Sequence, residues 1–190
     1  MKTGLFFGSF NPIHIGHLII AEFMATRSDL DEVWLVVSPQ NPLKQKKNLA
    51  NNFDRLHLVR LAVEGNSMLQ VSDIEFKLPI PSYTVDTLTY LSEKHPTREF
   101  VLIMGGDNLC SLPKWKNHEI LLRDYPIYVY NRPNFDDCPL KTHPAIHFYN
   151  APLMDISATF IRKSIKNGQS IRYLVKDNVN EEILRSGMYR

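Results

Sequence analysis

An apolar run at residues 5–7 leads directly into the segment GSFNPIHIGHL at residues 8–18, and this junction constrains the fold more than any other part of the chain. The run predicts a buried strand, residues 8–14 a loop, and the residues that follow a helix. The first N–H groups of a helix lack partners within it, and its dipole places about half a positive charge there. The junction therefore predicts an anion site suited to phosphate.

Two histidines mark the start of this predicted helix. His14 and His17 occupy positions i and i+3, which lie on one helical face and can point at one small group. Gly16 between them has no side chain to cover that group. A zinc site is the first alternative, but it needs three or four ligands, and no cysteine or carboxylate pair has suitable spacing nearby. The spacing alone would favour two histidines without a functional role, whereas their position at a strand-to-helix junction favours a phosphate site.

Composition excludes several classes of protein. The 190 residues are 44% hydrophobic and 22% charged, which is typical of a soluble globular protein with one core. No apolar run approaches the ~18 residues that span a bilayer, and residues 1–7 lack the features of a signal peptide. We therefore expect a cytoplasmic protein without a membrane partner. A net charge of +2 is too small to indicate nucleic acid binding.

The two cysteines, Cys110 and Cys138, fit neither a C-x-x-C redox pair nor a disulfide framework. We expect both to be spectators.

Strand and helix patterns alternate along the chain. Continuous apolar runs, typical of parallel strands covered on both faces, occur at residues 5–7, 33–37, 101–104 and 127–130. Helical patterns follow in residues 14–25, 53–64 and 84–95, and Pro96 closes the last of them. The alternation predicts an α/β fold: a Rossmann-like, doubly wound parallel sheet in a single domain over residues 1–190, with a small C-terminal helical part. Ligands would bind at the carboxyl ends of the strands, and residues 131–144 are the one candidate for a variable loop.

A further anion site is predicted near the C-terminus. The segment DISATFIR at residues 155–162 predicts a helix with Ser157 as its N-cap, and Asn167 and Gly168 end it. Its hydroxyls and N–H groups would form a second anion cradle, to which Arg162 adds a bidentate charged fork. Taken alone, the pattern also fits an ordinary capped helix with a surface arginine.

These segments together resemble the nicotinate-nucleotide adenylyltransferase family. The HxGH pattern at residues 14–17 is shared by the wider nucleotidylyltransferase superfamily, and the other motifs are more specific to the family. They are ISATFIRKSIKNG, PSYTVDTL at residues 81–88, MGGD at residues 104–107, LPKW at residues 112–115, RP at residues 132–133 and the terminal GMYR. The resemblance covers nearly the whole chain. It implies transfer of the adenylyl group of ATP to nicotinate mononucleotide, which gives deamido-NAD and pyrophosphate in NAD biosynthesis.

The resemblance also implies which residues act. The catalytic set that contacts the ATP phosphates is His14, His17, Lys44 and Arg162. The remaining ATP-binding residues are Gly8, Ser9, Phe10, Gly16, Ser157 and Thr159. The residues that bind nicotinate mononucleotide are Thr84, Gly105, Asp107 and Trp115. Mg²⁺ is expected to accompany ATP, held largely by phosphates and water, with no metal ligand from the protein.

The chemistry of the nicotinate ring explains why Trp115 and Thr84 suit a pocket for it. A flat pyridinium prefers an indole face such as that of Trp115, and its carboxylate needs donors such as the Thr84 hydroxyl and backbone N–H groups. The alternatives are a core tryptophan and a threonine that caps a helix. The choice of the acid over the amide substrate follows from the resemblance alone.

Two departures from the family pattern limit the transfer of roles. Relatives usually carry a histidine just before the lysine after the second strand, whereas this chain has Leu43 before Lys44. Relatives often show Leu-Val-Pro near the C-terminus, whereas this chain has Lys176 in place of the proline. The first departure removes a contact, and the second concerns local loop geometry.

Other functions fit parts of the pattern. Phosphopantetheine adenylyltransferase shares the HxGH loop and a similar C-terminal helix motif, but not the PSYT and LPKW segments as a set. Class I aminoacyl-tRNA synthetases are longer and carry a KMSKS loop. A non-enzymatic nucleotide sensor on the same fold would not need every phosphate-binding side chain. The sequence leaves open whether the protein is a homo-oligomer.

Overall fold

A computed structural model describes residues 1–39, 49–130 and 138–190. Its six strands form one parallel sheet in the order β3-β2-β1-β4-β5-β6. The strands are β1 (Lys2–Gly8), β2 (Glu32–Val37), β3 (Leu69–Ser72), β4 (Glu99–Gly105), β5 (Ile127–Tyr130) and β6 (Ile146–Tyr149). The predicted Rossmann-like α/β fold is confirmed.

Helices cover both faces of the sheet. The α-helices of the described residues are α1 (Ile15–Arg27), α2 (Asn52–Val63), α3 (Thr84–Lys94), α4 (Gly106–Ser111), α5 (His118–Asp124), α6 (Ala158–Lys166) and α7 (Asp177–Ser186). Two 3₁₀ turns, Ile74–Lys77 and Leu112–Lys114, complete the connections. None of the helices in the described ranges is long and apolar enough to cross a membrane.

Two apolar clusters explain why the central strands are continuous apolar runs. In β1, Leu5 belongs to the cluster under α3, α4 and α5, whereas the next residue, Phe6, belongs to the cluster under α1, α2, α6 and α7. In β2, Val36 and Leu35 divide between the clusters in the same way. Successive side chains of a strand point to opposite faces, so a sheet covered on both faces needs apolar residues at every position.

The edge strands were not predicted. The four predicted strands match β1, β2, β4 and β5, while β3 and β6 lie at the two ends of the sheet. Gln70 in β3 and both His147 and Phe148 in β6 are exposed. An edge strand with polar or exposed positions has no continuous apolar run, which is the signal that identified the other four.

Strand order places the ligand crevice. β1 pairs with β2 on one side and with β4 on the other. The sheet is therefore wound outward in both directions from the boundary between β1 and β4. In doubly wound sheets, ligands bind outside the carboxyl ends of the strands at this switch point. The loop that follows β1 lies there, as predicted.

The expectation that both cysteines are spectators is wrong in this structure. Cys110 in α4 and Cys138 form a disulfide, with their Cα atoms 5.0 Å apart. They are 28 residues apart in sequence, and no short spacing motif marks the pair, so only the fold shows that they meet. The predicted variable loop at residues 131–144 is described only from Cys138 onward.

Candidate active site

The loop after β1 is shaped by a buried aromatic ring. Phe10 is 1% exposed and has a positive φ of 41°. A Cβ on Gly8 would lie only 2.7 Å from Cζ of this ring, so the loop can close over Phe10 only with a glycine at position 8. At Gly8 the backbone therefore has no side chain over it, which suits the close approach of a phosphate.

The two predicted histidines come together at the start of α1. Their rings stack with centroids 3.6 Å apart and an angle of 25° between the planes. His14 is 5% exposed and stands at the N-cap position, and its backbone N–H donates to Nδ1 of His17 at 3.3 Å. The Phe10 ring meets the His17 ring edge-on, with centroids 5.1 Å apart. Packing thus fixes both imidazoles on one face, as the spacing predicted.

Gly16 leaves room for the first histidine. A Cβ at this position would lie 3.2 Å from Nδ1 of His14. The glycine of the HxGH pattern therefore permits the His14 ring to lie against the first turn of the helix.

The helix start is less open than the sequence suggested. The backbone N–H of Ile15 donates to the carbonyl of Leu174 at 2.9 Å, and that of His17 donates to the carbonyl of His14 at 2.9 Å. The expectation that the first N–H groups of this helix are all unpaired is wrong, because the segment before α7 supplies an acceptor. This segment contains Lys176, which stands where relatives often have proline and is the N-cap residue of α7.

The C-terminal helix α6 reaches the same loop. Ser157 is its N-cap, as predicted, and its Oγ accepts from the backbone N–H of Phe160 at 3.1 Å. Arg162 donates from Nη1 to the carbonyl of Asn11 at 2.7 Å and from Nη2 to Oγ1 of Thr159 at 3.2 Å. The structure thus brings Arg162 and Thr159 beside the loop that carries the histidines. Lys44 and Leu43 lie outside the described residues.

A cavity of about 160 Å³ lies beside this loop. Its walls are formed by the end of β1, the middle of β4 and the two segments that carry PSYT and LPKW. The lining residues are Phe7, Gly8, Ser9, Ser38, Glu75, Ser82, Tyr83, Thr84, Leu102, Ile103, Met104, Asn108, Lys114, Trp115, Lys116 and Leu121. Trp115 and Thr84, which were predicted for the ring pocket, thus line one cavity with Gly8 and Ser9. These two residues begin the predicted phosphate loop, residues 8–14.

Thr84 is not the cap of its helix, whereas Trp115 packs in part against the apolar cluster under α3, α4 and α5. Tyr83 is the N-cap of α3, and Thr84 is the first helical residue. Trp115 is partly exposed at the end of a 3₁₀ turn, and its Nε1 is buried without a hydrogen-bond partner among the described residues. Both side chains therefore remain available to a ligand in the cavity.

The MGGD motif lies at the carboxyl end of β4. Gly105 ends the strand, and a Cβ there would lie 2.5 Å from Oδ1 of Asp107 and 3.0 Å from Oη of Tyr130. The glycine thus allows the carboxylate to fold back over the strand end. Neither residue is in the cavity lining, which the next residue, Asn108, joins instead.

Sequence reasoning missed Glu75, a carboxyl in the cavity wall. Glu75 is 2% exposed, and its Oε1 accepts from Oγ1 of the buried Thr87 at 2.9 Å. Burial raises the pKa of this carboxyl above its usual range, against the opposing effect of the Ser38, Thr87 and Ser82 hydroxyls. Nothing in the sequence around Glu75 marks it as buried, because the 3₁₀ turn that carries it is too short for a periodic pattern.

Sequence reasoning also missed Arg55. No sequence pattern marks this residue of α2 as buried, yet its side chain is 0% exposed.

The imidazole and guanidinium side chains near the loop after β1 are not the ligands that Mg²⁺ prefers. No group of three or more His, Cys, Asp or Glu side chains in the described ranges could hold a metal ion. Mg²⁺ prefers oxygen ligands and keeps several waters, whereas the phosphate loop offers imidazoles and a guanidinium. These groups suit anionic oxygens better than they suit a cation.

Comparison with known proteins decides the family. The Cytidylyltransferase-like family model matches residues 5–164. A nicotinate-nucleotide adenylyltransferase of Cytophaga hutchinsonii is 55% identical over 189 residues, which cover 100% of this chain and 98% of that protein. The chain belongs to the nicotinate-nucleotide adenylyltransferase family. Another member, from Flavobacterium psychrophilum, is also 55% identical, over 192 residues that cover 100% of both chains.

Solved structures of the family share the fold. The Plasmodium falciparum nicotinic acid mononucleotide adenylyltransferase complexed with NaAD aligns with a TM-score of 0.83 at 20% identity, covering 99% of this chain and 97% of that one. A structure from Vibrio parahaemolyticus aligns with a TM-score of 0.75 at 22% identity, covering 100% of this chain and 95% of that one. At these identities the alignments show that the fold is shared and no more.

Proposed function

We infer that the protein transfers the adenylyl group of ATP to nicotinate mononucleotide, forming nicotinate adenine dinucleotide and pyrophosphate in NAD biosynthesis. One observation carries the inference beyond family membership. Gly8 and Ser9 of the histidine-bearing loop also line the cavity that contains Trp115 and Thr84. A phosphate site and a ring-sized cavity that meet at one loop suit a reaction between two phosphates.

The chemistry requires positioning more than acid–base groups. The phosphate of the mononucleotide attacks the α-phosphorus of ATP, and pyrophosphate leaves in line. Because a phosphate dianion is already a nucleophile, no general base is needed. Catalysis then depends on holding the two phosphates in line and on neutralising charge that develops on the α-phosphate and the leaving group.

The positions of the described side chains support the phosphate-binding roles that the resemblance implies. We propose that His14 and His17 contact the ATP phosphates from their stacked position, with Arg162 and Lys44 adding positive charge. The backbone of Gly8, Ser9 and Phe10, the open face at Gly16 and the hydroxyls of Ser157 and Thr159 complete the ATP site.

The mononucleotide occupies the cavity in this proposal. Trp115 stacks on the pyridinium ring, and Thr84 and nearby backbone N–H groups bind the ring carboxylate. Gly105 and Asp107 lie at the end of β4, where Asp107 orients the mononucleotide or binds a ribose hydroxyl. An Mg²⁺ ion held by ATP and water would supply further charge to neutralise the phosphates.

Assembly and location are part of the same proposal. We expect a cytoplasmic enzyme that acts on these two small molecules without nucleic acid or a membrane, and a homo-oligomer is compatible with it. Size-exclusion chromatography with light scattering measures the oligomeric state directly.

Pyrophosphate release from ATP and Mg²⁺ tests the proposed function. The acceptors are nicotinate mononucleotide, nicotinamide mononucleotide and phosphopantetheine in parallel reactions. Release that depends on nicotinate mononucleotide supports the proposal, and release with phosphopantetheine favours the other adenylyltransferase. If folded protein that binds ATP releases no pyrophosphate with any of the three acceptors, the protein would be a sensor or would use a different acceptor.

A further inference from the structure

The strands β1 and β2 separate at the point where the phosphate loop begins. Their last ladder pair joins Gly8 and Val37, and the backbone N–H of Ser38 then donates to the carbonyl of Gly8 at 2.9 Å. Beyond this point the carbonyls of Ser9, Ser38 and Pro39 lie outside the ladder. Buried carbonyls need other donors.

Arg55 supplies these donors from α2. Its Nη1 donates to the carbonyls of Ser9 and Ser38, the latter at 2.9 Å, and its Nη2 donates to the carbonyl of Pro39 at 3.4 Å. One guanidinium thus joins the phosphate loop to the end of β2.

The same side chain holds the return of the chain into α2. Nε of Arg55 donates to the carbonyl of Ala50 at 3.1 Å, and Nη2 donates to Oδ1 of Asn52 at 2.7 Å. The backbone N–H of Ala50 donates in turn to Oδ1 of Asn11 at 3.1 Å. Three separate segments therefore converge on one planar group, which only the fork of an arginine can serve.

The burial of Arg55 explains why this position holds an arginine. Arg55 is 0% exposed, and desolvation lowers the pKa of its guanidinium. Within the described ranges, no ion pair with a carboxylate includes it. A buried cation is expensive to desolvate, and an apolar side chain would fill the same space without that penalty. The hydrogen bonds to the loop, rather than packing alone, account for an arginine here.

We propose that Arg55 is a positioning residue for the ATP phosphates, because it fixes the loop of Gly8 and Ser9 against the end of β2. The inference rests on the proposed function. Arg162 holds the other end of the loop through the carbonyl of Asn11, so the loop is fixed from two sides. A loop released on the Arg55 side would present its backbone to the phosphates in a displaced position, while Trp115 and Thr84, which lie on other segments of the cavity wall, would keep their places.

Steady-state kinetics of Arg55→Lys, Arg55→Met and Asn52→Ala test the proposal. Arg55→Lys keeps the charge but cannot reach all the acceptors, so the KM for ATP should rise and kcat should fall, together by about 10- to 100-fold in kcat/KM. Arg55→Met should lose more, and Asn52→Ala, which removes one partner of the guanidinium, should lose less. The KM for nicotinate mononucleotide should stay within about threefold, a split that general destabilisation would not produce.

Arg60→Met is the matched control, because Arg60 lies on the same helix and is exposed; its kinetics should equal those of the unmodified protein. If Arg55→Met fails to fold, Arg55→Lys and Asn52→Ala decide the outcome. Unchanged kinetics for Arg55→Lys, or equal rises in both KM values, would overturn the proposal. Inactivity of the unmodified protein and of Arg60→Met would instead contradict the proposed function.

Discussion

At the scale of single residues, His17 combines a structural contact with the proposed phosphate contact. Its Nδ1 accepts from the backbone N–H of His14, and we propose that its ring also contacts the ATP phosphates. We predict that His17→Asn, which keeps an acceptor near the His14 N–H, folds normally and lowers kcat by roughly 10²- to 10³-fold, or about 3–4 kcal/mol. Turnover assays and circular dichroism measure the two effects. His57→Ala, an exposed histidine on α2, is the control, and a fully active His17→Asn would refute the assignment.

Trp115 tests the ring pocket separately from the phosphate site. Removing the indole in Trp115→Ala should raise the KM for nicotinate mononucleotide roughly tenfold or more, because stacking and apolar contact are both lost. Trp115→Phe should retain part of the stacking, so its KM for nicotinate mononucleotide should lie between those of the unmodified protein and Trp115→Ala. The KM for ATP is the internal control and should change little. Equal losses for both substrates would contradict a pocket dedicated to the mononucleotide.

Glu75 should make stability depend on pH. Burial raises the pKa of this carboxyl in the folded protein above its ordinary value of 4.5, so the folded state binds more protons than the unfolded state between the two values. Its contribution to stability is therefore complete below the ordinary value and is lost as the pH rises through the raised one. Glu75→Gln keeps an acceptor for Thr87 and does not titrate. Urea unfolding should show Glu75→Gln gaining stability over the unmodified protein from pH 4 to pH 8, and a constant difference would contradict this reasoning.

Much of the candidate site could be predicted at this scale, but only where residues form contiguous motifs. His14, His17 and Arg162 lie in motifs whose spacing or resemblance marks them, and the structure brings them to one loop. Arg55 and Glu75 do not, since a charged residue in a helix or a short turn looks solvent-facing until its neighbours are known. Their burial depends on contacts with segments distant in sequence, such as Ser9 for Arg55 and Thr87 for Glu75.

At the scale of elements, helix α6 connects stability to the ATP site through its N-cap. Oγ of Ser157 accepts from the backbone N–H of Phe160, and Arg162 lies one turn further along. Ser157→Ala should lower the free energy of unfolding by about 1 kcal/mol and also raise the KM for ATP. Ser157→Asn, which can still cap the helix, should recover the stability in urea unfolding. Unchanged stability for Ser157→Ala would contradict the capping role.

The elements also show which sequence signals are reliable. The strands β1, β2, β4 and β5 are buried on both faces and produce continuous apolar runs. The edge strands β3 and β6 do not, and the short helices α4 and α5 give too few turns for a periodic pattern. Helix α7 buries Val179 and Ile183 on one narrow face of a polar segment, a weak signal on its own. Strong patterns thus predicted the middle of the sheet but not its edges.

At the scale of the whole molecule, the parallel sheet makes distant motifs into one site. The carboxyl ends of β1 and β4 meet at the switch point, and the segments before α3 and after α4 close over them. The alternation of strands and helices predicted this edge as the ligand site. It could not predict the packing of α6 and the residues before α7 against the histidine loop, because those contacts are set by side chains far apart in sequence.

Transfer of label from ATP tests the central claim most directly. The protein is incubated with Mg²⁺, nicotinate mononucleotide and ATP labelled at the α-phosphate, and the products are separated. The account predicts that the label appears in nicotinate adenine dinucleotide in step with pyrophosphate, and that both products depend on the mononucleotide. Label in AMP or ADP without the dinucleotide, or label unchanged in ATP with protein that is folded and binds both substrates, would contradict it.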